Sequence, residues 1–278
     1  MKPTGLQHVV IEPAEGWPRL ELLGLWKYRE VITLLVWRDI KVRYKQTVIG
    51  SSWAILQPLI TMAVFTVLFG RLLKVDTGDV PYPVFAYSAL VPWTFFSHAL
   101  TKLTMGLVTD YDLVTRTAFP KLVIPVAAVI AALVDLVLAL LVLIPLMLVF
   151  GVTPGPGIVF LPFFILMAIA TSLAVGLWLA AINIRYRDIG HALPFLLQIW
   201  LFVTPVAYPS RLVPETWRTL YSLNPMAGVV EGFRWALAGG MWDLPAAALG
   251  TSSCMVVVLL AGGLYFFRKR EPTFAEIA

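Results

Sequence analysis

Six long apolar stretches, separated by short charged connections, constrain this chain more than any other feature of its sequence. They cover residues 49–73, 84–107, 122–150, 158–184, 192–207 and 245–267. A hydrocarbon core of ~30 Å needs about 20 helical residues, and most of the stretches reach that length, although the fifth is short. Hydrophobic residues make up 59% of the chain and charged residues only 13%, which is not typical of soluble domains. The sequence therefore predicts an all-α integral membrane protein with six transmembrane helices.

The Lys and Arg content of the connections alternates between high and low. It is high before the first stretch, between the second and third, between the fourth and fifth, and after the sixth. Connections that stay in the cytoplasm carry such an excess of cations, so both termini are predicted to be cytoplasmic. The sequence pI is about 9.4, but the cations fall where this topology requires them. Nucleic acid is therefore not a predicted partner.

The segment just before the first stretch has helical periodicity. Its residues form two neighbouring arcs of a helical wheel, an apolar one with Val36, Trp37, Ile40 and Tyr44 and a basic one with Arg38, Lys41 and Lys45. This pattern predicts an amphipathic helix at the membrane surface. Two roles stay open for it: a plain anchor to anionic headgroups, or a collar at a substrate entrance where cations meet a lipid-linked phosphate.

Residues 108–120 are too polar to span the membrane. The segment opens with acids, which suit a helix N-terminus, and it ends at Pro120. This predicts a short helix, parallel to the membrane, that projects toward a soluble partner. An ordinary loop is the alternative.

A second polar segment covers residues 208–243 and contains several aromatic residues. Asn224 and Pro225 are typical of an N-cap and a first helical position, and Gly239 is typical of a C-terminal stop. A helix over 225–238 is therefore predicted. The aromatic residues favour re-entrant helices that dip into the outer leaflet, with an interfacial cap as the alternative.

Catalytic and metal-binding patterns are absent from the sequence. His8, His98 and His191 are widely spaced and Cys254 is the single cysteine, so neither a zinc site nor an internal disulfide is predicted. The motif GxxxxGK[ST] does not occur, so the chain itself is not expected to bind ATP through a P-loop. Asp135 is the one acid deep in an apolar stretch, and we expect it to hydrogen-bond a neighbouring helix or to face a wet lumen.

Four separated runs carry a resemblance to a known family. They are WRDIKVRYKQTVIGSSWAILQPL (37–59), FGRLLKVDTGDVPYPVFAYSALVPWTFF (69–96), AINIRYRDI (181–189) and SLNPMAGVVEGFRWAL (222–237). They resemble the permease subunit of bacterial ABC-2 type polysaccharide exporters, also called type V exporters. O-antigen exporters are the most similar, and teichoic acid exporters are relatives. The resemblance extends from about residue 34 to 270.

The resemblance implies a homodimer of six-helix subunits, each paired with a separate ATPase, in the bacterial inner membrane. Such a complex moves an undecaprenyl-diphosphate-linked glycan to the periplasmic side. ATP and Mg²⁺ then belong to the partner ATPase, and this chain carries no cofactor. The implied division is a cytoplasmic segment with a gate helix at 1–48, a transmembrane domain at 49–270 and a cytoplasmic tail at 271–278.

The functional parts of that family fall on segments described above. The gate helix at the substrate entrance corresponds to Trp37, Arg38, Lys41, Arg43, Tyr44 and Lys45. The coupling helix that contacts the ATPase corresponds to Asp110, Tyr111, Asp112, Arg116, Phe119 and Pro120, with Arg185 and Arg187 on the same side. The periplasmic gate corresponds to Trp217, Tyr221, Asn224, Pro225, Phe233 and Trp235. Similar proteins more often have Asn where this chain has Asp110.

Two helical stripes fit a glycan conduit, because a sugar packs its CH faces on aromatic rings and needs hydrogen bonds for its hydroxyls. They are Trp53, Gln57, Thr61 and Phe65 in the first span and Gln198, Trp200, Thr204 and Tyr208 in the fifth. Core packing is the alternative for any single residue. Teichoic acid or capsule export, an ABC-2 permease for drugs or lipids, and a membrane enzyme acting on polyprenyl lipids are the competing functions.

Overall fold

The computed structural model describes residues 22–45, 52–117, 119–238 and 246–274, and helices dominate these ranges. The α-helices of the described ranges are α1 (Leu22–Lys27), α2 (Arg29–Lys45), α3 (Ser52–Phe65), α4 (Tyr82–Thr109), α5 (Tyr111–Arg116), α6 (Val123–Val149), α7 (Leu161–Asn183), α8 (Asp188–Val203), α9 (Glu215–Ser222), α10 (Pro225–Leu237) and α11 (Ala246–Arg270). A π-helical turn, Thr66–Leu72, extends α3, and a 3₁₀ turn, Pro156–Phe160, leads into α7.

Four helices in the described part of the chain are long and apolar enough to cross a membrane. They are Ile55–Leu72, Val123–Val149, Pro156–Asn183 and Ala246–Thr273. These helices coincide with the first, third, fourth and sixth predicted spans. The prediction of an all-helical membrane protein is confirmed at this level.

The second and fifth predicted spans correspond to α4 and α8. Helix α4 has 28 residues and is about 42 Å long at 1.5 Å per residue, which is enough to cross, but polar residues lower its hydropathy. Helix α8 has 16 residues and reaches only about 24 Å. The six-span count therefore stays a prediction.

Helix α4 lies at the centre of the bundle. It packs against α3, α6, α7, α8 and α10, and most of its side chains are buried. Its first turns contact α10, whereas its last turn reaches α2 and α5. Because α4 runs without a break from Tyr82 to Thr109, one long element joins the two ends of the molecule.

The π-helical turn after α3 was not predicted. Its wider ring is closed by the backbone N–H of Leu73, which donates to the Leu68 carbonyl at 2.9 Å. A Cβ on Gly70 would lie 2.9 Å from the Tyr82 ring, so this turn approaches α4 at a distance that only glycine permits. Such turns depend on tertiary packing and leave no trace in hydropathy.

The prediction that a helix begins at Pro225 is confirmed by α10. The Asn224 side chain accepts a hydrogen bond from the Met226 backbone N–H, and Pro225 takes the first helical position. Helices α9 and α10, with 8 and 13 residues, are both too short to cross a membrane. The predicted stop at Gly239 lies outside the described residues.

The short helix predicted within residues 108–120 is corrected at its C-terminal end. Helix α5 has only 6 residues and ends at Arg116, because Thr117 is extended with φ −119° and ψ 149°. Pro120 also disfavours helical backbone at the residue before it. Phe119 and Pro120 therefore lie in the connection to α6.

Candidate functional site

A cavity of about 670 Å³ lies between α2, α3, α4 and α6. Its charged wall residues are Arg38, Asp39, Arg43, Lys102, Asp110 and Asp135. Trp53 and Gln57 of α3 and His98 of α4 line it as well. Residues predicted for the substrate entrance, the channel and the coupling helix therefore meet in one place.

Arg38 connects α2 with the start of α5. Its Nη1 and Nη2 donate to the two carboxylate oxygens of Asp110 at 2.8 and 2.7 Å, and its Nε donates to Asp39 at 3.1 Å. A guanidinium fork on a carboxylate is a strong, directional pair. The hydrogen bond with Asp110 raises the pKa of Arg38 above its ordinary value. The predicted gate helix and coupling helix are thus linked by one ion pair.

Arg43 connects α2 with α6, because its guanidinium pairs with the carboxylate of Asp135. The Nδ1 atom of His98 on α4 lies 3.5 Å from the same carboxylate. Asp135 is buried and Arg43 is 29% exposed at its side chain. The expectation that Asp135 meets a neighbouring helix is confirmed, and it also lines the cavity. Sequence reasoning missed this pair because the two residues are 92 positions apart.

The outer face of α2 is apolar and aromatic. Trp37 is 58% exposed and Leu34 and Val42 are also exposed, whereas Leu35 is buried against the bundle. Lys41 lies 5.2 Å from the centre of the Trp37 ring. The predicted basic arc is therefore divided, because Arg38 turns into the cavity and Lys41 stays outside. The side chains of Tyr44 and Lys45 lie outside the described part.

The predicted stripe on α3 is exposed at one end and buried at the other. Trp53 is 52% exposed, Gln57 is exposed, and Thr61 is half-buried with its hydroxyl donating to the Gln57 carbonyl at 2.9 Å. Phe65 is buried, with its ring 5.5 Å from that of Phe69, and its place on the channel stays a prediction. The stripe thus offers a polar and aromatic surface only near the cavity.

The predicted stripe on α8 is tied to α10 through Asn224. The indole Nε1 of Trp200 donates to Asn224 Oδ1 at 3.0 Å, and Asn224 Nδ2 donates to Thr204 Oγ1 at 3.0 Å. Thr204 is 0% exposed, and its place on a channel surface stays a prediction. Gln198 is exposed. The Asn224 amide therefore bridges two residues at the end of α8.

Tyrosine hydroxyls join the end of α8 to α9. Tyr208 donates to the Phe202 carbonyl at 2.8 Å, and the Tyr221 hydroxyl lies 3.3 Å from the Tyr208 hydroxyl. Trp217 projects from α9 and is exposed. The predicted gate residues Tyr221 and Asn224 thus contact predicted channel residues directly.

A buried ion pair in α10 was not predicted as part of any site. Arg234 is 2% exposed, and its Nη2 donates to the Val206 carbonyl at 2.7 Å and its Nε to the Phe85 carbonyl at 3.3 Å. Its guanidinium lies 3.6 Å above the Phe85 ring and 3.4 Å from the Glu231 carboxylate. The sequence signal was a Glu and an Arg three positions apart in a 13-residue apolar helix.

The remaining predicted gate residues of α10 belong to the core. Phe233 is fully buried, and Pro225 is buried at the first turn. Trp235 packs on Phe160 with ring centres 5.6 Å apart. These residues hold α10 against α7 and its preceding turn rather than presenting an open surface.

The predicted coupling residues differ in exposure. Asp112 and Arg116 form an exposed pair at 3.1 Å on α5, and Tyr111 is exposed beside them. Phe119 is half-buried, with the Lys121 Nζ 5.4 Å from its ring centre. Arg185 and Arg187 are exposed in the turn before α8. The exposed members of this set therefore lie on α5 and in the turn before α8, whereas Phe119 packs partly against the fold.

The C-terminal end of α11 is attached to the start of α6. The Lys121 backbone N–H donates to Glu271 at 2.6 Å, and Arg268 pairs with the same carboxylate group at 3.0 Å. Burial lowers the pKa of the Lys121 ammonium, and the Glu271 carboxylate partly offsets this.

Long apolar helices around a partly open cavity with charged walls define a multi-span α-helical membrane protein. The chain belongs to the ABC-2 type transporter family, whose sequence model matches residues 30–238. This is the family that the quoted runs indicate.

The chain is similar to curated proteins over nearly its whole length. It is 32% identical to the O-antigen export system permease protein RfbA of Myxococcus xanthus over 91% of this chain and 96% of that protein. It is 23% identical to the protein of the same name from Klebsiella pneumoniae over 89% and 95%. It is 26% identical to the polysialic acid transport protein KpsM of Escherichia coli over 89% and 96%.

Proposed function

We propose that the chain is the membrane permease subunit of an ATP-driven exporter that moves undecaprenyl-diphosphate-linked O antigen across the bacterial inner membrane. The observation that carries this proposal is the 32% identity to an O-antigen export permease over 96% of that protein's length. Capsule polysaccharide is the second candidate cargo, and the similarity to a polysialic acid transport protein supports it.

The proposed assembly is a homodimer with two copies of a separate ATPase, which holds ATP and Mg²⁺. Six spans and cytoplasmic termini complete the proposed topology. The α2 and α5 end is then cytoplasmic and the α9 and α10 end periplasmic. Exposed apolar side chains on α3, on its π-helical extension and on α8, such as Val64, Val67, Phe195 and Phe202, suit contact with lipid or with the second copy.

The Arg38–Asp110 pair gives the proposed transporter a direct mechanical link. An ATPase that moves α5 also pulls on α2, because the pair joins the two helices through two short hydrogen bonds. The same movement changes the wall of the cavity, which both residues line. Helix α4 ends at Thr109, the residue before Asp110. Near its other end, the Phe85 carbonyl accepts a hydrogen bond from Arg234. Motion at the cytoplasmic end is thereby connected to α10.

The proposal predicts the phenotype of a strain in which the gene is deleted. Surface polysaccharide is expected to disappear while lipid-linked glycan accumulates inside the cell, because synthesis continues without export. Immunoblots of intact cells and of extracted lipid-linked glycan measure the two pools. A plasmid copy of the gene is expected to restore both to the parental level. Normal surface polysaccharide in the deletion strain would contradict the proposal.

A further inference from the structure

The chain turns back on itself directly after α11. A 3₁₀ turn, Glu271–Thr273, follows the helix, and Phe274 after it is 1% exposed. The Phe274 ring meets the buried Phe267 ring edge-on, with the ring centres 5.1 Å apart. Burial of aromatic rings in such a pair stabilises the contact. The turn after α11, residues 271–274, is therefore fixed against the bundle.

Glu271 of this turn lies at the start of α6. One of its carboxylate oxygens accepts the Lys121 backbone N–H at 2.6 Å, and the other accepts from Arg268 at 3.0 Å. The N-terminus of a helix leaves backbone N–H groups without partners inside the helix and favours negative charge. The N-cap residue of α6, Leu122, makes no side-chain capping bond. Glu271 thus supplies, from 150 positions away, the acceptor that the local sequence does not provide.

Lys121 extends this contact toward α5. Its Nζ donates to the Thr117 carbonyl at 2.6 Å and lies 5.4 Å from the centre of the Phe119 ring. Thr117 is the residue directly after α5. The backbone and the side chain of Lys121 therefore tie the turn after α11 to the whole connection between α5 and α6.

The turn after α11 also adjoins the connection between α7 and α8. Residues of both segments line a small cleft of about 90 Å³, among them Ile184, Arg185, Tyr186, Arg270, Thr273 and Phe274. This connection is itself held by α4, because Asn183 donates to the Thr104 carbonyl at 3.0 Å and accepts the Gly190 N–H at 2.9 Å. One turn thus contacts the connection after α5 and lies beside the connection before α8.

Arg268 depends on Glu271 for its compensating charge. The two side chains are only 12% and 16% exposed. The Nε and Nη2 atoms of Arg268 are buried without a hydrogen-bond partner in the part of the chain that the structure describes. A buried cation is costly when its one anionic partner is removed. A test of Glu271 therefore has to remove both charges together.

We propose that Glu271 is a positioning residue for transport, which holds the connection after α5 in a fixed place relative to the connection before α8. A force applied to α5 then reaches α6 and α11 through Lys121 and Glu271 and is not lost in bending of the connection. The link to transport rests on the proposed function, whereas the positioning of the connection does not.

The positioning is tested by hydrogen exchange of the purified full chain in nanodiscs, measured by mass spectrometry. In R268M/E271M both charges and the acceptor are removed, and residues 117–124 are expected to exchange about tenfold faster, because the Lys121 amide loses its bond. R268Q/E271Q keeps an amide oxygen that accepts the same N–H, so its exchange is expected to stay within about twofold of the wild type. K269Q is the matched control, since Lys269 is exposed on the same turn of α11, and its exchange is expected to be unchanged.

The link to transport is tested with the same variants in complex with the ATPase, in vesicles that report both ATP hydrolysis and glycan movement. R268M/E271M is expected to hydrolyse ATP at close to the wild-type rate but to move at least about fivefold less glycan per ATP, the low end of typical coupling between sites. R268Q/E271Q is expected to restore this ratio, because the bond to the Lys121 N–H is retained.

Wild-type exchange in R268M/E271M would overturn the proposal. Faster exchange with an unchanged ratio of glycan to ATP would overturn it as well, since Glu271 would then be a structural contact without a role in transport. So would equal losses in R268M/E271M and R268Q/E271Q, because the shared acceptor would not be what holds the connection. A wild-type complex that hydrolyses ATP and moves no glycan would contradict the proposed function alone, since the exchange measurement does not depend on the cargo.

Discussion

Replacing Arg234 by Met is expected to destabilise the protein by about 3–5 kcal/mol, because removal of one partner of a buried pair leaves the other charge in a low-dielectric core. Glu231 loses its buried cation, and the Phe85 and Val206 carbonyls lose a shared donor. This cost is a large fraction of a typical total stability of about 5–15 kcal/mol. The measurement is thermal unfolding in detergent, followed by size-exclusion chromatography, together with the membrane level of the variant.

Two further variants test whether the loss of stability comes from the Glu231–Arg234 ion pair or from a general sensitivity of this end of the molecule to substitution. Arg218→Met removes a half-exposed cation of α9 that faces Glu215 at 3.6 Å, and it is expected to change the unfolding temperature very little. The double variant Arg234→Met with Glu231→Met removes both charges and is expected to recover part of the loss. Wild-type stability of the single Arg234→Met variant would contradict the assigned role of the pair.

Replacing Asp135 by Ala is expected to release α2 from α6, because Asp135 is the carboxylate to which Arg43 is bound. The expected cost is about 3 kcal/mol, at the low end for a buried pair, since the Arg43 side chain is 29% exposed. Hydrogen exchange measured by mass spectrometry should then show faster exchange across Arg29–Lys45 and little change in α11. Polysaccharide export by the Asp135→Ala variant is also expected to fall, because α2 forms one wall of the cavity.

The matched control for Asp135 is Asp112→Ala. Asp112 also pairs with an arginine, but both partners are largely exposed on α5, so the exchange of α2 is expected to stay at the wild-type rate. Unchanged exchange of α2 in the Asp135→Ala variant would show that the Arg43 contact does not hold the helix.

Hydropathy located most of the spans because contact with lipid demands an uninterrupted apolar run, as in α6 and α7. Local chemistry located the start of α10, since the Asn224 side chain caps the first turn and Pro225 takes the first helical position. The π-helical turn after α3 was beyond this reasoning, because it depends on the close approach of Gly70 to Tyr82. Sequence periodicity likewise placed Phe65 and Thr204 on one face of their helices. It did not show which neighbouring residues bury them.

The charged pairs of the site show the same limit. Asp135 stood out as a lone acid in an apolar stretch, but its partner Arg43 comes from a helix 92 positions earlier. Arg38 was grouped with Lys41 and Lys45 on a helical wheel, whereas Asp110, 72 positions away, turns it inward. A wheel records angles within one helix and carries no information on the helix packed against it. The family resemblance pointed to segments of the chain and carried no information on these contacts.

The central claim is that this chain, with its ATPase, moves a lipid-linked polysaccharide across the membrane. Inside-out membrane vesicles that contain the chain, its ATPase and lipid-linked glycan measure this directly, because exported glycan enters the lumen and is protected from added glycosidase. We expect protection to require ATP and both subunits, and to vanish when the ATPase is catalytically inactive. Glycan that stays fully accessible while the assembled complex hydrolyses ATP would contradict the claim.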